Sequence, residues 1–261
     1  MRDRTTDTVA RFYSQRACYP LETLAAGRVT VAEPTVPPDG ALPWVLWVAV
    51  LSDRAVLVAP GDFAPTLRRA VRGRAPGELM EPDCLADLSA RCAALAGEGT
   101  TLEPYLGRKC CCDAGRLRAV RNTNVRQLTP ANAPQAMRRP QPVGIPNDTA
   151  YLLADDAAFA YYLGHEPVAF AGTHPVGAFS DRLGNVMVGT LQAHRGRGFG
   201  RAVVAATTQA LVTGGRVAVW GMAHDNAAAA RTAASVGYEQ YCEVFELRGG
   251  QPIARHEGVG R

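Results

Sequence analysis

The sequence predicts an α/β protein made of two parts, a smaller α/β domain followed by a larger one. Short valine-rich apolar runs alternate with stretches whose apolar residues recur three and four positions apart, which is the pattern of alternating strands and helices. The chain has 261 residues, more than one average domain requires. Near residue 122 the sequence changes from strand-like to loop-like, and we place a domain boundary there.

The predicted organisation has three segments. Residues 1–122 form the N-terminal α/β domain, residues 123–248 form the second domain, and residues 249–261 form a polar, glycine-rich, flexible tail. The N-terminal domain carries no obvious chemical motif. We interpret it as scaffold and as part of a pocket wall.

Composition and charge exclude several classes of protein. Apolar residues make up 47% and charged residues 20%, as in ordinary soluble domains. The net charge of +4 comes without a basic stripe or stacking aromatics, so nucleic acid is not expected as a partner. No run of about 18 apolar residues is present, so no membrane span is expected. The N-terminus lacks the apolar core of a secretion signal, and we expect a cytoplasmic protein.

Strand and helix patterns alternate along the N-terminal half. Two apolar runs joined by a short polar turn predict a β-hairpin, and apolar residues at helical spacing predict three helices. The proline-rich segment 27–43 is expected to be extended or loop. The predicted elements are a helix over 5–17, strands over 44–51 and 55–59, and helices over 63–72 and 84–95.

The seven cysteines predict free thiols rather than disulfides or a metal site. Cys110, Cys111 and Cys112 are adjacent, and adjacent side chains do not readily point at one ion. No CxxC spacing or nearby histidine supports them. We interpret them as apolar-like residues of a strand and expect no metal.

The C-terminal half predicts a longer alternation. Turn residues separate the strands, and capping residues mark the helix ends. The predicted elements are a strand over 125–128, helices from 129 to before 140 and over 148–153, a hairpin of 158–163 with 168–172, a strand over 185–191, a helix from 198, a strand over 216–223, a helix after Asp225 or Asn226, and a strand over 238–247.

One loop of the second domain has the composition of an anion site. The segment Arg195–Gly200 reads RGRGFG, follows a strand and opens a helix. Small residues let a ligand approach the backbone, exposed N–H groups donate to it, and the helix N-terminus adds positive potential. The sequence therefore predicts that phosphate groups are held here.

Two motifs at compatible spacing resemble the GCN5-related N-acetyltransferase (GNAT) superfamily. Arg195, Gly198 and Gly200 match its cofactor loop, Arg/Gln-x-x-Gly-x-Gly/Ala. Asn226 and Ala229, with Gly237 and Tyr238 eleven residues after the Asn, match its downstream segment. The resemblance covers roughly residues 125–248. The N-terminal half resembles, more loosely, the extra domain of two-part bacterial members and is a candidate degenerate GNAT-like half.

The resemblance implies a fold and a donor site. The fold would be a mixed, mostly antiparallel sheet flanked by helices and splayed between its fourth and fifth strands. Acetyl-CoA or another acyl-CoA would be the co-substrate, with its pantetheine arm along the fourth strand and its pyrophosphate on the loop. The implied cofactor-binding residues are Val188, Gly189, Thr190, Arg195, Gly196, Arg197, Gly198, Phe199, Gly200, Arg201 and Asn226. Asn226 is equally well explained as a plain helix cap.

The usual catalytic residues of the family are missing. Its frequent general acid, a Tyr seven residues after the Asn, is Ala233 here, and no Glu stands on the fourth strand. The candidate bases are His174 and Asp181, in the loop before that strand, followed by His165 and Glu166. Tyr161 and Tyr162 alternate on the second strand, so one faces the cleft and both are acceptor-binding candidates. Cys242 is interpreted as strand filler.

The leading functional hypothesis is an N-acyltransferase that moves an acetyl or other small acyl group from CoA to the amine of a small molecule by direct attack. The composition is consistent with bacterial secondary metabolism, antibiotic biosynthesis or self-resistance. One alternative donor is an acyl carrier protein with a phosphopantetheine arm, met by the basic residues of the loop. An alternative of another class is a non-catalytic acyl-CoA sensor. The protein would be a monomer or a homodimer.

Overall fold

The computed structural model describes residues 4–34, 44–97, 100–118, 120, 122–133, 153 and 155–249. Residues 134–139 of the helix predicted from 129 to before 140, residues 148–152 of the helix predicted over 148–153, and residues 250–261 of the predicted tail lie outside the described residues. The described helices are α1 (Arg4–Ala17), α2 (Ala64–Ala70), α3 (Pro82–Ala96), α4 (Phe199–Thr213) and α5 (Ala227–Val236). The described strands are β1 (Val29–Ala32), β2 (Leu46–Leu51), β3 (Arg54–Val58), β4 (Leu102–Cys112), β5 (Val125–Gln127), β6 (Phe159–Leu163), β7 (Glu166–His174), β8 (Leu183–Thr190), β9 (Val217–Ala223) and β10 (Glu239–Gly249).

The chain divides into two compact units that are interleaved in sequence. The first unit combines the residues up to Phe12 with Arg108–Tyr241, and the second combines Tyr13–Gly107 with the residues from Cys242 onward. This division differs from the predicted single boundary near residue 122, because β4 and β10 each contribute residues to both units.

In the second unit, β2 and β3 form the predicted hairpin. They pair antiparallel from Trp47 opposite Val58 to Leu51 opposite Arg54. β10 pairs antiparallel with the other edge of β2. The inward side chains of these strands pack on α2 and α3 in one core that includes Leu57, Leu67 and Leu88, all fully buried.

One strand of the second unit was not predicted. β1 lies in the segment expected to be extended or loop, and it pairs parallel with β3 from Val29 opposite Ala55 to Ala32 opposite Val58. The sequence Val-Thr-Val-Ala has strand-like alternation, but it is only four residues long and Pro34 follows closely. Pro34 therefore follows the end of a strand, and the expected extended conformation is, for Val29–Ala32, that of a paired β-strand.

The first unit has the strand order β4-β9-β8-β7-β6-β5. The strands from β5 to β8 are antiparallel neighbours, and β8 and β9 are parallel. Helices α4 and α5 contribute Val203, Leu211 and Val236 to the core on one face of the sheet. Phe170 and Met187 belong to a smaller cluster with Leu128 and Ala133. A mixed, mostly antiparallel sheet with helices is the fold class predicted for this part.

Candidate functional site

The parallel strands β8 and β9 separate after a short paired stretch. Only Leu183, Gly184 and Asn185 of β8 pair with Val217, Ala218 and Val219 of β9. Beyond Asn185, β8 remains paired with β7 through Thr190, whereas no β9 partner is described for it. The five residues Val186–Thr190 are about 16 Å long at the usual strand rise. Their edge is open to an extended amide ligand, which would bond like an added strand.

The loop that follows β8 turns directly into α4. Gly196 and Gly198 have φ angles of 75° and 82°, in the left-handed region that favours glycine. Gly198 is the N-cap of α4, so the backbone N–H groups of Phe199, Gly200 and Arg201 belong to its first turn. First-turn N–H groups have no partner inside their helix and can donate to an anion.

The glycines of the loop fit a bound phosphate sterically. A Cβ atom at Gly200 would lie 3.0 Å from Thr190 Oγ1, so a side chain would fill the gap between the helix start and the end of β8. A Cβ atom at Gly196 or Gly198 would meet no atom within 4 Å, which leaves that side of the loop open. These residues therefore suit the pyrophosphate of a CoA-type ligand.

The three arginines of the loop differ in their contacts. Arg195 donates from Nε to the carbonyl oxygen of Thr190 at 3.2 Å, which ties the loop to the end of β8. The guanidinium of Arg197 lies over the ring of Phe199, 5.0 Å from its centroid. Arg195, Arg197 and Arg201 are all exposed, so each adds positive charge to the loop surface.

The predicted acceptor residues Tyr161 and Tyr162 have different environments. Tyr161 is only 6% exposed and stacks on Phe199, with the ring centroids 4.3 Å apart. Its hydroxyl accepts a hydrogen bond from Asn124 Nδ2 at 3.2 Å. Tyr162 packs on the cluster of Phe170 and Met187, and Arg126 covers its ring at 4.8 Å. Tyr161 therefore packs against Phe199 at the end of the loop. A contact with the acceptor remains a prediction for both tyrosines.

Asn226 is the N-cap of α5. Its side-chain oxygen accepts a hydrogen bond from the backbone N–H of Ala229 at 3.0 Å, so the capping interpretation is confirmed. The cap stands just beyond the end of β9, where β9 has left β8. The predicted contact of Asn226 with the pantetheine arm remains a prediction.

An ion pair lies at the closed end of the β8–β9 pair. Asp155 accepts from both terminal nitrogens of Arg216 at 2.8 Å, and its Oδ2 also accepts from Thr173 Oγ1 at 2.9 Å. Arg216 directly precedes β9, and Thr173 lies on β7. Both charged side chains are about four-fifths buried. This network links β7 to the start of β9, near the point where β8 and β9 separate and a cleft begins between them.

The structure separates the two candidate bases. His174 is the last residue of β7 rather than a loop residue, and it lies directly opposite Asn185. By strand alternation, both lie on the face that carries Phe170 and Met187, at the closed end of the cleft. Asp181 lies in the turn before β8, its side chain 68% exposed and 3.4 Å from Arg182. Of the two, His174 is nearer the point where the strands divide.

The position of the family's usual general acid is occupied by a buried core residue, Ala233. Ala233 is 3% exposed and lies in the core beside Trp220 and Tyr238. The Tyr238 hydroxyl shares a 2.7 Å hydrogen bond with Thr208, and burial raises the pKa of this phenol far above its usual value. Tyr238 is therefore no substitute for the acid that Ala233 replaces. Cys242 is fully buried, in keeping with its interpretation as strand filler.

One hydrogen-bonded side-chain pair next to the end of β9 could not be predicted from the sequence. Arg108 NH2 lies 2.9 Å from His224 Nε2, and His224 directly follows β9. Because an arginine only donates, this His nitrogen accepts. Arg108 comes from β4, which the sequence assigns to the other domain, so its position beside β9 had no signal along the chain.

The three adjacent cysteines are buried in β4, as predicted. Burial raises the pKa of Cys110 and Cys111 to about 11 and that of Cys112 to about 12. Thiolates are the form that binds metal, so these thiols are poor ligands. Among the described residues, no group of three or more His, Cys, Asp or Glu side chains is arranged to hold a metal ion.

One family profile matches part of the chain. Residues 181–246, which run from the turn before β8 into β10, match the profile of the family described as FR47-like protein. No curated protein matches the chain. The family match is confined to residues 181–246.

Solved structures with similar folds include three GNAT proteins. An acetyltransferase of the GNAT family from Colwellia psychrerythraea is 14% identical, covers 62% of this chain and 61% of its own, and has a TM-score of 0.44. A GCN5-related N-acetyltransferase from Kribbella flavida is 23% identical over 67% of this chain and 66% of its own, at a TM-score of 0.45. A GCN5-related N-acetyltransferase-like protein from Streptococcus suis is 16% identical over 94% of this chain and 98% of its own, also at 0.45. The chain thus spans less than two thirds of the length of the first two.

No helix among the described residues combines the length and the hydropathy needed to cross a membrane.

Proposed function

We propose that the protein is an N-acyltransferase that moves an acetyl or other small acyl group from a CoA thioester to the amine of a small molecule. The observation that carries the proposal is the division of β8 from β9 after Asn185, immediately before a glycine loop that opens a helix. An extended edge of five residues leads from the division to the anion-binding loop. This order suits a ligand with an amide-containing arm and a pyrophosphate.

The chain's own groups would hold the donor in a defined way. The N–H groups at the start of α4, with Arg197 and Arg201 beside them, would take the pyrophosphate. The free edge of Val188, Gly189 and Thr190 would bond the amides of the pantetheine arm. When bound, the CoA thioester supplies the acyl group. Positioning of the amine against it is the main contribution that the cleft itself can make.

The proton of the attacking amine needs an acceptor, and His174 is the best placed of the predicted bases. It lies on the face of Phe170 and Met187 at the closed end of the cleft, opposite Asn185. The neutral imidazole of a histidine can accept a proton from an attacking amine. Asp181 is exposed and neighboured by Arg182, which suits it less to this role.

A second candidate function, a sensor that binds acyl-CoA without turnover, is favoured by one observation. Ala233 is a buried core residue, so the position of the usual proton donor has no titratable group. Binding does not require this group, whereas departure of the thiolate benefits from it.

One experiment separates these functions. CoA and acetyl-CoA are titrated calorimetrically into the protein, and thiol release from acetyl-CoA is followed with a panel of small amines. We expect binding together with amine-dependent thiol release. Release only from acyl groups on a carrier protein identifies the alternative donor, and binding with no release from either donor identifies the sensor. Failure of CoA to bind at all contradicts the proposal.

A further inference from the structure

The second compact unit contains a surface cavity of about 400 Å³ in which four of the nine lining residues are arginines. They are Arg28, Arg68, Arg72 and Arg74. No local sequence pattern brings Arg28 close to the arginines that follow β3, because β1, the strand that Arg28 precedes, was not predicted.

Three short segments bring these arginines together. Arg28 precedes β1, Arg68 lies in the last turn of α2, and Arg72 and Arg74 lie in the turn that follows α2. Gly27 and Gly73 border the cavity with φ angles of 70° and 79°, so the chain reverses direction beside it twice. A Cβ atom at either glycine would meet no atom within 4 Å, which shows that both turns face open space.

The positive charge of the cavity is not neutralised by its surroundings. No acidic residue lines it, and among the described residues Arg28, Arg68 and Arg72 have no ion pair or side-chain hydrogen bond. Arg74 donates from Nε to the carbonyl oxygen of Ala70 at 3.4 Å. Arg74 also lies near enough to Asp87 to lower the pKa of that carboxyl slightly, after the larger effect of Arg91.

The remaining surface of the cavity is apolar. Val29 and Val31 of β1 and Val71 after α2 line it together with the arginines. Guanidinium groups bind phosphate oxygens in pairs of parallel hydrogen bonds, and valine side chains bind apolar groups. A volume of about 400 Å³ is in the range of small-molecule sites, which are about 300–1,000 Å³.

We propose that this cavity binds a phosphorylated small molecule, with the phosphate on the four arginines and the organic part against the valines. Uncompensated like charges repel one another, and a ligand with two negative charges removes that repulsion. The site lies wholly within the second unit, and no residue of the β8–β9 cleft belongs to it. The proposal therefore does not depend on the proposed acyltransferase function.

Calorimetric titration with ribose 5-phosphate and with inorganic phosphate tests the site. The double variant Arg28→Gln/Arg72→Gln should bind ribose 5-phosphate at least about tenfold more weakly, since it loses two charge-assisted contacts. The matched control is Arg69→Gln, on the same helix but outside the cavity, where Arg69 donates to Thr66 Oγ1 at 3.3 Å. This control should keep its affinity within about twofold.

Two further measurements make the result specific. The same titrations in the Gly198→Glu background should give the same affinities, because that change affects only the loop after β8. Affinity should also rise as the pH passes about 6, where a phosphate monoester takes its second negative charge. The single variants and thermal melts identify any effect of the double variant on folding.

Three outcomes would overturn the proposal: no binding of either probe at about 10 mM, an affinity that the double variant leaves unchanged, or binding of an acidic peptide in place of ribose 5-phosphate. The last result would make the arginines a docking surface for a protein.

Discussion

Two described parallel strand pairs, β1–β3 and β8–β9, differ in how far the pairing extends. In the second unit, all four residues of β1 pair with β3, and the ladder continues with a hydrogen bond from Ala59 N to Ala32 O at 3.1 Å. In the first unit, β8 and β9 pair over three residues and then separate. Each pair includes a strand that is followed by a loop and a helix. Of these two pairs, only β8–β9 leaves a strand edge that a ligand can occupy.

The two loops differ in charge as well as in space. After β3 the chain reads Ala59-Pro60-Gly61-Asp62, and a Cβ atom at Gly61 would lie 2.9 Å from Glu33 Oε2. Pro at the first turn of α2 removes one N–H donor. After β8 the loop carries arginines and left-handed glycines instead. A strand, loop and helix in succession is therefore insufficient for anion binding, which also needs free donors and the absence of nearby carboxylates.

The largest effect is expected from Gly198→Glu. The substitution forces a non-glycine residue into a backbone with φ of 82° and brings a negative charge to the loop that is proposed to hold the pyrophosphate. We expect CoA affinity to fall by at least about 100-fold, which corresponds to about 2.7 kcal/mol. Calorimetric titration with CoA measures it.

Two controls sharpen this comparison. Gly215→Glu makes the same change at a left-handed glycine just past the other end of α4, where φ is 73°. Gly61→Ala alters the loop after β3, where the exposed Glu33 side chain can move aside. Both should bind CoA within about twofold of the wild type. Equal affinity of Gly198→Glu and Gly215→Glu would contradict the placement of the pyrophosphate.

The next largest effect tests whether the amine proton is removed where β8 and β9 are still paired, near His174. His174→Gln should lower kcat by about 100-fold and leave CoA affinity unchanged, since general-base catalysis contributes factors of that order. Asp181→Asn is the comparison and should keep kcat within about threefold. The reverse ranking of these two variants would make Asp181 the base.

A smaller effect concerns the network that closes the cleft. Asp155→Asn leaves Arg216 and Thr173 with a neutral partner in a site that is about four-fifths buried. We expect the free energy of unfolding to fall by about 2 kcal/mol, since hydrogen bonds to charged groups contribute about 1.5–3 kcal/mol. Urea titration of Asp155→Asn and of Asp156→Asn, whose side chain is exposed, measures the difference. Equal stabilities would show that the network does not hold these strands.

The smallest effect is expected at the buried cysteines, which should not react with a disulfide reagent in the native protein. In contrast with the open edge of β8, the part of β4 that holds Cys110, Cys111 and Cys112 is buried. Burial raises the pKa of each thiol to between about 11 and about 12. The thiolate fraction at pH 8 is therefore small and grows only as the pH approaches those values. A disulfide reagent at pH 8 should modify about one thiol of the native protein, the partly exposed Cys18, and all seven after unfolding. Rapid reaction of three or more native thiols would contradict the closed arrangement.

Much of the fold could be predicted from local sequence. The β2–β3 hairpin, the helix after the arginine–glycine loop and the cap at Asn226 each have a signal within a few residues. The resemblance to a family also implied the division between β8 and β9, which local pattern alone does not contain.

Long-range placement accounts for what was missed. β1 is short and borders a proline-rich segment, so its partner strand β3 decides its conformation. Arg108 reaches His224 only because β4 lies beside β9, and the cavity arginines meet only through the β1–β3 pairing. His174 was expected in a loop because its strand assignment depends on pairing with Asn185. Each of these contacts joins residues far apart in the sequence.

The hydrogen bond from Arg195 Nε to the carbonyl oxygen of Thr190 has a thermodynamic consequence. Phe199 also stacks on Tyr161 and lies under the Arg197 guanidinium, and these contacts together restrict the conformations open to the loop. A loop ordered in advance does not lose conformational entropy when it binds, so more of the interaction free energy is expressed as affinity. For the proposed donor, Arg195 would therefore raise affinity by lowering the entropy cost of binding, in addition to any charge that it offers to phosphate.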